Sequence, residues 1–437
     1  MTAPTDRRRF GLPSLTAIVV ANMIGAGIFT TTGFALSDLG TPERVMWAWV
    51  VGGTIAVLGV LCYGALARHL QISGGEYLFL SRTISPRAGF LAGWISLWAG
   101  FSGAIAVAAE ALQAYLAPFV PDGIPPDLIG SVLILLMAAL HAFRLNMGAL
   151  LQNFAVGFKL ILLVVLATWG MFLLPDSVES AADLAATPPS EDLPWNWGDF
   201  AMVLMWVSLS YSGWNAAVYV AGEAKEAKRN IPRAMLLGTL LVTVLYLALN
   251  WVFVYSAPVE ELTRKENIAA IAATATAALG SPGLEQTVRL GLALAMLTSI
   301  SSMVMIGPRI YAQMADDGVF PKFFSFRGHS PSRSIFLQAG IAIALLWGSE
   351  LREQLTTLGW LLGVCTAMSV VGLLMLRRDL GAKTVPIPGY PYVPLLFLSS
   401  VSTFALMMAW HRSDDLWPAA VVLVTGWVSA VFFRPRA

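Results

Sequence analysis

Charged residues are scarce in this sequence. Of its 437 residues only 12% are Asp, Glu, Lys or Arg, whereas 57% are hydrophobic. A typical soluble domain carries about 25% charged residues, so a water-soluble protein of this size would have too few charged residues for its surface. The low charge and the net charge of +1 also exclude a disordered chain and a nucleic-acid binder.

Cysteine and histidine are also rare. The two cysteines, Cys62 and Cys365, both lie in apolar runs, so we expect no disulfide framework. The four histidines show no metal-ligand spacing, and neither an H-E-x-x-H sequence nor a nucleophile elbow occurs. We therefore expect no metal and no other cofactor.

Long apolar runs, in contrast, are abundant. A helix that crosses a bilayer needs about 20 mostly apolar residues, and twelve runs come close to or exceed this length. They lie at 12–36, 44–67, 88–117, 127–143, 151–174, 198–222, 232–256, 286–315, 334–349, 355–376, 391–411 and 415–433. Because the hydrocarbon core offers no water to unpaired backbone groups, we predict an all-α polytopic membrane protein with twelve transmembrane helices.

The positive charges predict the side on which each loop lies. With both termini in the cytoplasm, 20 of the 27 Lys and Arg residues fall in inner segments and six in outer ones, as the positive-inside rule requires. The loop 175–197 carries five acids and no base, which is typical of an outer segment. We predict a cell-membrane protein with cytoplasmic tails at 1–11 and 434–437, and short surface helices within 69–87 and 267–279.

Two of the predicted helices contain residues that helices disfavour. The first holds an Asn and two glycines within Asn22–Phe29, and the sixth holds three serines, a Gly and an Asn within Ser208–Asn215. Unwound backbone survives in a membrane only where it is buried in protein or lines a cavity. The alternative interpretation is that these small residues let helices pack closely.

The two interruptions occupy matching positions in two halves of five helices each. The halves cover 12–174 and 198–377, and 391–433 adds two more helices. Paired interruptions are typical of inverted-repeat transporters with a substrate site at the midplane of the membrane. Free N–H groups there would receive a carboxylate and free carbonyls an ammonium group, which favours an amino acid as the substrate.

Five side chains within the spans are further candidates for a direct role. Lys159 lies inside the fifth span, where a central Lys costs about 2.5–3.5 kcal/mol, so it is either functional or snorkels to the inner surface. Glu110 lies near the outer end of the third span, where a coupling role and a wetted vestibule position are both open. Trp214 could form the wall of a substrate pocket or pack against other helices. Ser299 and Ser302 could bind a cation or pack the eighth helix.

Several motifs occur in a fixed order between about residues 11 and 395. They are Ile24–Phe29 (I-G-A-G-I-F), Gly74–Tyr77 (G-G-E-Y), Gly89–Trp94 (G-F-L-A-G-W), Tyr211–Asn215 (Y-S-G-W-N) with Glu223 and Arg229–Ala234, and Gly307–Tyr311 with Asp317–Pro321. This set resembles the signature elements of the amino acid–polyamine–organocation transporters, and especially the L-amino acid transporter branch.

The resemblance implies a LeuT-like fold, which is a five-plus-five inverted repeat with broken first and sixth helices and two extra C-terminal helices. The implied substrate site consists of Ile24, Gly25, Ala26, Gly27, Ile28, Leu209, Ser210, Ser212, Gly213, Trp214 and Asn215. Backbone N–H groups at 26–28 would bind the substrate carboxylate. The substrate ammonium group would be bound by the carbonyls of Ile24, Leu209, Ser210 and Ser212.

The resemblance also suggests a coupling mechanism. Lys159 matches a fifth-helix lysine whose ammonium group, in family members, occupies the place where sodium-coupled relatives hold a sodium ion. It implies sodium-independent transport, in which Lys159 ties the first helix to the fifth and eighth during alternating access. Two positions depart from the family pattern, since Ala26 replaces the serine of the motif and Leu209 replaces a common aromatic gate residue.

The outer loop 118–126 has no cysteine. Animal members of the family bond a heavy chain through a cysteine in this loop. We therefore expect a stand-alone protein of the prokaryotic type, without a disulfide-linked heavy chain, whose partners are its amino-acid substrate and the lipid bilayer.

Taken together, these features predict a secondary transporter of L-amino acids, neutral ones in particular, that works by exchange without sodium. Proton-coupled symport stays open, as does a cationic amino-acid or polyamine carrier. A cationic substrate would need an acid near its distal amine, and only Glu110 is available in the spans before Glu223. An intramembrane enzyme is disfavoured because the spans hold no paired acids or metal constellation, and a channel would need polar rings along a pore.

Overall fold

The structure is a computed structural model that describes residues 10–70, 75–143, 148–184, 194–280, 282–326 and 331–433. Only the backbone is described for 148–155, 175–184 and 282. Within the described ranges every regular element is a helix, and one isolated β-bridge joins Phe10 to Ala224. The prediction of an all-α protein is confirmed for this part of the chain.

The helices follow one another without any inserted domain. In chain order they are α1 (Leu12–Met23), α2 (Gly27–Leu39), α3 (Pro42–His69), α4 (Gly75–Thr83), α5 (Pro86–Ile95), α6 (Ala104–Leu116), α7 (Pro126–Ala142), α8 (Gly148–Leu184), α9 (Trp197–Ser210), α10 (Ala216–Tyr219), α11 (Ala227–Tyr255), α12 (Val259–Leu262), α13 (Ile271–Leu279), α14 (Pro282–Asp316), α15 (Ser332–Gly348), α16 (Leu351–Leu380), α17 (Tyr392–His411) and α18 (Trp417–Phe433). A π-helical stretch, Ser96–Gly103, joins α5 to α6.

Eight helical segments of the described ranges are long and apolar enough to cross a bilayer, and there are nine if the bent pair α1–α2 is one span. The other three predicted crossings coincide with α7, α9 and α15, which have 17, 14 and 17 residues. Those lengths lie at or below the lower end of the usual range of about 17–25 residues. The protein is therefore a multi-pass membrane protein, and the number twelve stays a prediction.

Large apolar side chains cover much of the outer surface. Phe172 is 81% exposed, Trp410 85% and Phe432 78%. A water-soluble protein rarely exposes apolar surface on this scale, whereas a hydrocarbon environment favours it.

The two interrupted helices lie at the centre of the helical packing. The first breaks between α1 and α2, whose axes differ by 43°, and the second breaks between α9 and α10. Helix α1 packs against α10 and α11, α2 packs against α9, and α9 also packs against α3 and α16. Both breaks are therefore enclosed by protein, as unwound backbone in a membrane requires.

The structure differs from the sequence prediction in one loop. Helix α8 continues to Leu184, so the first ten residues of the predicted acidic loop 175–197 are helical. No Gly or Pro follows Pro175 within this stretch, so nothing in the sequence stops the helix there.

Short helices form in both ranges where the sequence predicts surface helices, α4 within 69–87 and α13 within 267–279, but most residues of both helices are buried. Of the predicted N-terminal tail, only Phe10 and Gly11 are among the described residues. The predicted tail 434–437 lies outside them.

Candidate functional site

The first break leaves backbone donors free. Helix α2 begins at Gly27, and its first recorded bond across the break runs from the Phe29 N–H to the Ala26 carbonyl at 3.0 Å. Among the described residues, no carbonyl accepts from the N–H groups of 26–28, as expected for the first turn of a helix. A Cβ on Gly25 would meet no atom within 4 Å, so open space lies in front of this backbone. The arrangement suits a carboxylate.

The second break touches the first through Gly213. This residue has a φ of +96°, and a Cβ on it would lie 2.7 Å from the Asn22 carbonyl oxygen and 3.1 Å from the Met23 nitrogen. Only glycine adopts this conformation without strain and leaves room for the neighbouring backbone. The unwound segment 211–215 is therefore held directly against the end of α1.

Gly27 and Ser210 form a second close contact between the two broken helices. A Cβ on Gly27 would lie 2.5 Å from the Ser210 Oγ. The Ser210 hydroxyl is buried, donates to the Trp206 carbonyl at 2.9 Å and lies 3.1 Å from the Thr31 Oγ1. The side chain of Ser210 thus holds α9 against α2.

Protein donors already occupy three of the four carbonyls that the sequence assigned to the substrate ammonium group. The Lys159 Nζ donates to the Ile24 carbonyl and the Ser212 N–H donates to the Leu209 carbonyl at 2.9 Å. The Ser210 carbonyl lies 3.2 Å from the Tyr246 hydroxyl and shares its single hydrogen with the closer Met23 carbonyl. Each carbonyl has two lone pairs, so these bonds leave room for a second donor.

Tyr246 is a residue that the sequence reasoning missed. It lies on α11 and its hydroxyl donates to the Met23 carbonyl at 2.7 Å, so one side chain bridges both breaks. Asn250 lies one turn later, donates to the Tyr246 carbonyl at 2.7 Å and accepts from the Thr32 hydroxyl at 2.5 Å. A Tyr and an Asn four residues apart in an apolar helix were the available signal, because they share one helix face.

Lys159 lies beside the first break. It is 2% exposed, so it does not snorkel to a surface. Its ammonium group donates to the Ile24 carbonyl and, at 3.1 Å, to the Ser299 hydroxyl. Lys159 therefore connects α8 with the first break and with α14. Ser302, also on α14, does not line the cavity described below.

Glu110 lies apart from the breaks. Its carboxylate accepts from the Leu351 N–H at 2.9 Å and from the Gln354 side chain at 3.2 Å. Leu351 is the first residue of α16, so Glu110 caps the N-terminus of that helix, where a negative charge is stabilising. The sequence could not reveal this arrangement, because the two partners are 241 residues apart.

A cavity of about 290 Å³ lies against the second break. Of the predicted substrate residues, Leu209, Ser212, Gly213, Trp214 and Asn215 line it, whereas 24–28 and Ser210 do not. From α1 the wall includes Ile18 and Asn22 instead, and most of the remaining wall is apolar. A mostly apolar cavity of this volume with a few polar groups is typical of a small-molecule site.

Trp214 forms part of the cavity wall. It is 7% exposed and its ring packs edge-on against Tyr63, with 4.5 Å between the ring centroids. Trp214 thus lies in the cavity wall and also packs against another helix, so both features predicted from the sequence are present. Cys365, on α16, lines the same cavity, whereas Cys62 does not.

Two charged side chains line the cavity, Glu76 from α4 and Arg309 from α14. Glu76 is 7% exposed, and Arg309 is exposed. Sequence reasoning placed 69–87 on the inner surface and considered Glu110 as the acid near a substrate. The structure corrects this expectation, since Glu76 lines the cavity and Glu110 does not. The Gly74–Tyr77 motif was the signal that could have identified Glu76.

The family model described as Amino acid permease matches residues 10–430. The mouse Asc-type amino acid transporter 1 is 25% identical over 403 residues, which cover 90% of this chain and 74% of that protein. The human Large neutral amino acids transporter small subunit 2 is 23% identical over 431 residues, covering 96% of this chain and 79% of that protein.

A third relative is the human b(0,+)-type amino acid transporter 1, which is 24% identical over 419 residues, covering 94% of this chain and 84% of that protein. All three relatives are named as amino acid transporters. The similarity thus concerns a transporter and not an enzyme.

Proposed function

This chain belongs to the amino acid permease family, and we propose that it carries L-amino acids across the membrane by alternating access. The observation that supports this most directly is the cavity at the contact between the two helix breaks. The polar backbone of 211–215 lies along this cavity, and the free N–H groups at 26–28 belong to the first break, outside the cavity wall. An amino acid needs a donor set for its carboxylate and an acceptor set for its ammonium group, and backbone supplies both.

We propose that transport does not require sodium. The Lys159 ammonium group is buried and bonded to the Ile24 carbonyl and the Ser299 hydroxyl. A carbonyl and a hydroxyl are oxygen ligands of the kind that a bound cation uses, and here a fixed positive charge occupies them. Coupling would then come from exchange of one amino acid for another.

Amino acids with neutral side chains are the substrates that we propose. The wall of the cavity is mostly apolar, with Ile55, Phe101, Met205 and Phe397 among its members. The alternative of a cationic amino-acid or polyamine carrier draws support from Glu76, the acid in the wall. The oxygens of Glu76 already accept from three protein side chains, however, which favours the neutral class.

We further propose the LeuT-like five-plus-five arrangement with twelve crossings, in the cell membrane, with both termini in the cytoplasm. On that assignment, the cavity faces the cytoplasm, because Ile18, Tyr219 and Arg309 in its wall all lie toward predicted inner ends of helices. The chain would work alone, without a heavy chain.

A competition experiment tests the substrate class. Purified protein would be loaded with labelled L-leucine and challenged with L-alanine, L-arginine, putrescine and D-leucine. We expect L-alanine to displace the label and the other three to do so poorly. Stronger displacement by arginine or putrescine would contradict the neutral class. If none of the amino acids bound, the proposed function would be wrong.

A further inference from the structure

Helix α4 is a short helix that contacts the second break from the side of the cavity. It carries the last three residues of the Gly74–Tyr77 motif, and Gly74 itself lies outside the described residues. Glu76 and Tyr77 both bond to distant parts of the chain.

The Glu76 carboxylate accepts from three side chains. Its Oε1 accepts from the Asn215 amide and, at 3.4 Å, from the Tyr63 hydroxyl, and its Oε2 accepts from the Tyr219 hydroxyl at 2.7 Å. Asn215 is the last residue of the second break and Tyr219 ends α10. Both partners also line the cavity.

Gly75 fixes the position of Tyr219 by a second contact. Its φ is +60°, and a Cβ on it would lie 2.6 Å from the Tyr219 Cζ. The ring of Tyr219 therefore packs directly on the backbone of α4, next to the residue whose carboxylate binds its hydroxyl. Two adjacent residues of α4 thus determine where this side chain lies.

The backbone alone holds the second break weakly. Among the described residues, the Tyr211 N–H still bonds to the Val207 carbonyl of α9, and the other backbone bonds of 211–215 are short turn bonds: Ser212 N–H to Leu209, Ala216 N–H to Gly213 and Val218 N–H to Asn215. The segment also contains Gly213, and glycine has more conformational freedom than any other residue type. Side-chain anchors must therefore supply much of the order of this part of the cavity wall.

We propose that Glu76 is a positioning residue, which holds the cavity wall of residues 211–219 in the geometry that receives the substrate by binding Asn215 and Tyr219. The inference rests on the proposed function. A carboxylate suits this place because it accepts every bond and offers no donor of its own. In the described part of the chain, no basic side chain lies within 4 Å of it, so its bonds are to neutral donors.

Tyr77 extends the same connection to α14. Its hydroxyl donates to the Asp317 carboxylate at 2.8 Å, just beyond the end of that helix. Burial, and then this hydrogen bond, raise the pKa of the Tyr77 hydroxyl above its usual value, so it stays a neutral donor. Helix α4 thus joins the inner half of the sixth predicted span to the end of the eighth.

A crosswise exchange of acid and amide tests the proposal. The variants are Glu76→Gln, Asn215→Asp and the double variant, each reconstituted in vesicles and measured for KM and Vmax of labelled L-leucine uptake. In Glu76→Gln an amide faces the amide of Asn215, and in Asn215→Asp a carboxylate faces the carboxylate of Glu76. Each single variant therefore loses the charged hydrogen bond between the two side chains, and each should raise KM about tenfold or more. The double variant restores one acid and one amide, so its KM should fall below that of either single variant.

A KM for the double variant as high as that of the worse single variant would overturn the proposal, since a merely structural loss at two sites does not recover. If the single variants do not fold, Tyr219→Phe removes one bond without changing charge. We expect it to raise KM severalfold with little change in the midpoint of thermal unfolding, and an unchanged KM would also overturn the proposal.

Glu43→Gln is the matched control. Glu43 is an exposed carboxylate that likewise accepts from a tyrosine hydroxyl, that of Tyr255 at 3.2 Å, but it does not line the cavity. Its KM should equal that of the wild type. Failure of the proposed function would be seen separately, as absence of amino-acid transport by the wild type before any variant is compared.

Discussion

Lys159 is the residue on which the coupling proposal depends most. Its two bonds join α8, the first break and α14, and Lys159→Ala removes both. Because an unsatisfied buried polar group costs about 1–3 kcal/mol, we expect uptake to fall about tenfold to a hundredfold or more while the protein remains folded. Uptake into vesicles checks this, with Lys322→Ala, an exposed lysine, as the control. Uptake at the wild-type rate would contradict the proposed role.

The glycines of the two breaks should respond differently to the same substitution. Gly213→Ala places a methyl group 2.7 Å from the Asn22 carbonyl at a φ of +96°, and strain of this kind costs about 1–3 kcal/mol. Gly25→Ala meets no atom within 4 Å and should leave the midpoint of thermal unfolding unchanged. Gly25→Leu should remain folded but lose substrate binding, because it fills that space. Equal unfolding midpoints for Gly213→Ala and the wild type would contradict the contact between the breaks.

The natural cysteines allow the cavity to be probed directly. Cys365 lines it and Cys62 does not, and the chain has no others. A small methanethiosulfonate reagent should inhibit transport by the wild type and by Cys62→Ser, but not by Cys365→Ser. Bound substrate should slow the reaction, because it occupies the same cavity. Equal inhibition of the Cys365→Ser variant would contradict this prediction, because the thiol whose modification blocks transport would then lie outside the cavity.

At the scale of helices, the sequence indicated where the two breaks occur but not what holds them. Gly, Ser and Asn within apolar runs are local signals, and both breaks lie where those residues cluster. The contacts of Tyr246 and Glu76 depend on tertiary packing between segments far apart in sequence. The Gly74–Tyr77 motif marks Glu76 in the sequence, but nothing local shows that its partners are Asn215 and Tyr219 or that it lies at the cavity.

Two salt bridges join helix ends on the predicted outer side of the protein. Asp38, at the end of α2, pairs with Arg352 at the start of α16 at 2.5 Å, and Asp199 pairs with Arg412 at 2.7 Å. Arg352 also lies over the Trp206 ring, 5.3 Å from its centroid. The hydrogen bond to Asp199 raises the pKa of Arg412 above its usual value, so this cation stays charged. Alternating access would require the contacts across the breaks to open.

Loss of the Asp38–Arg352 pair should therefore expose the cavity from outside. In Asp38→Asn vesicles of right-side-out orientation, a membrane-impermeant thiol reagent should reach Cys365 faster than in the wild type. An ion pair of this exposure contributes about 1 kcal/mol, so we expect about a fivefold change in rate. Asp379→Asn, in an exposed pair with Arg378, serves as the control. An unchanged rate for Asp38→Asn would mean that this pair does not close the outer side.

At the scale of the whole molecule, composition alone established a polytopic helical protein. Apolar length identified the helices well, because the hydrocarbon core tolerates little other structure. It did not identify the end of α8 at Leu184, where a helix continues through residues of ordinary polarity. Helices α7, α9 and α15 are apolar but short, and a short crossing and a buried helix have the same composition. The number of crossings therefore does not follow from composition.

Exchange of amino acids without sodium is tested most directly by counterflow. The purified chain alone would be reconstituted in sodium-free vesicles, with or without unlabelled L-leucine inside, and uptake of labelled L-leucine would be followed. We predict severalfold faster uptake into the loaded vesicles, without a proton gradient and without a partner subunit. Uptake that is equal in loaded and empty vesicles, or that requires a proton gradient, would contradict exchange.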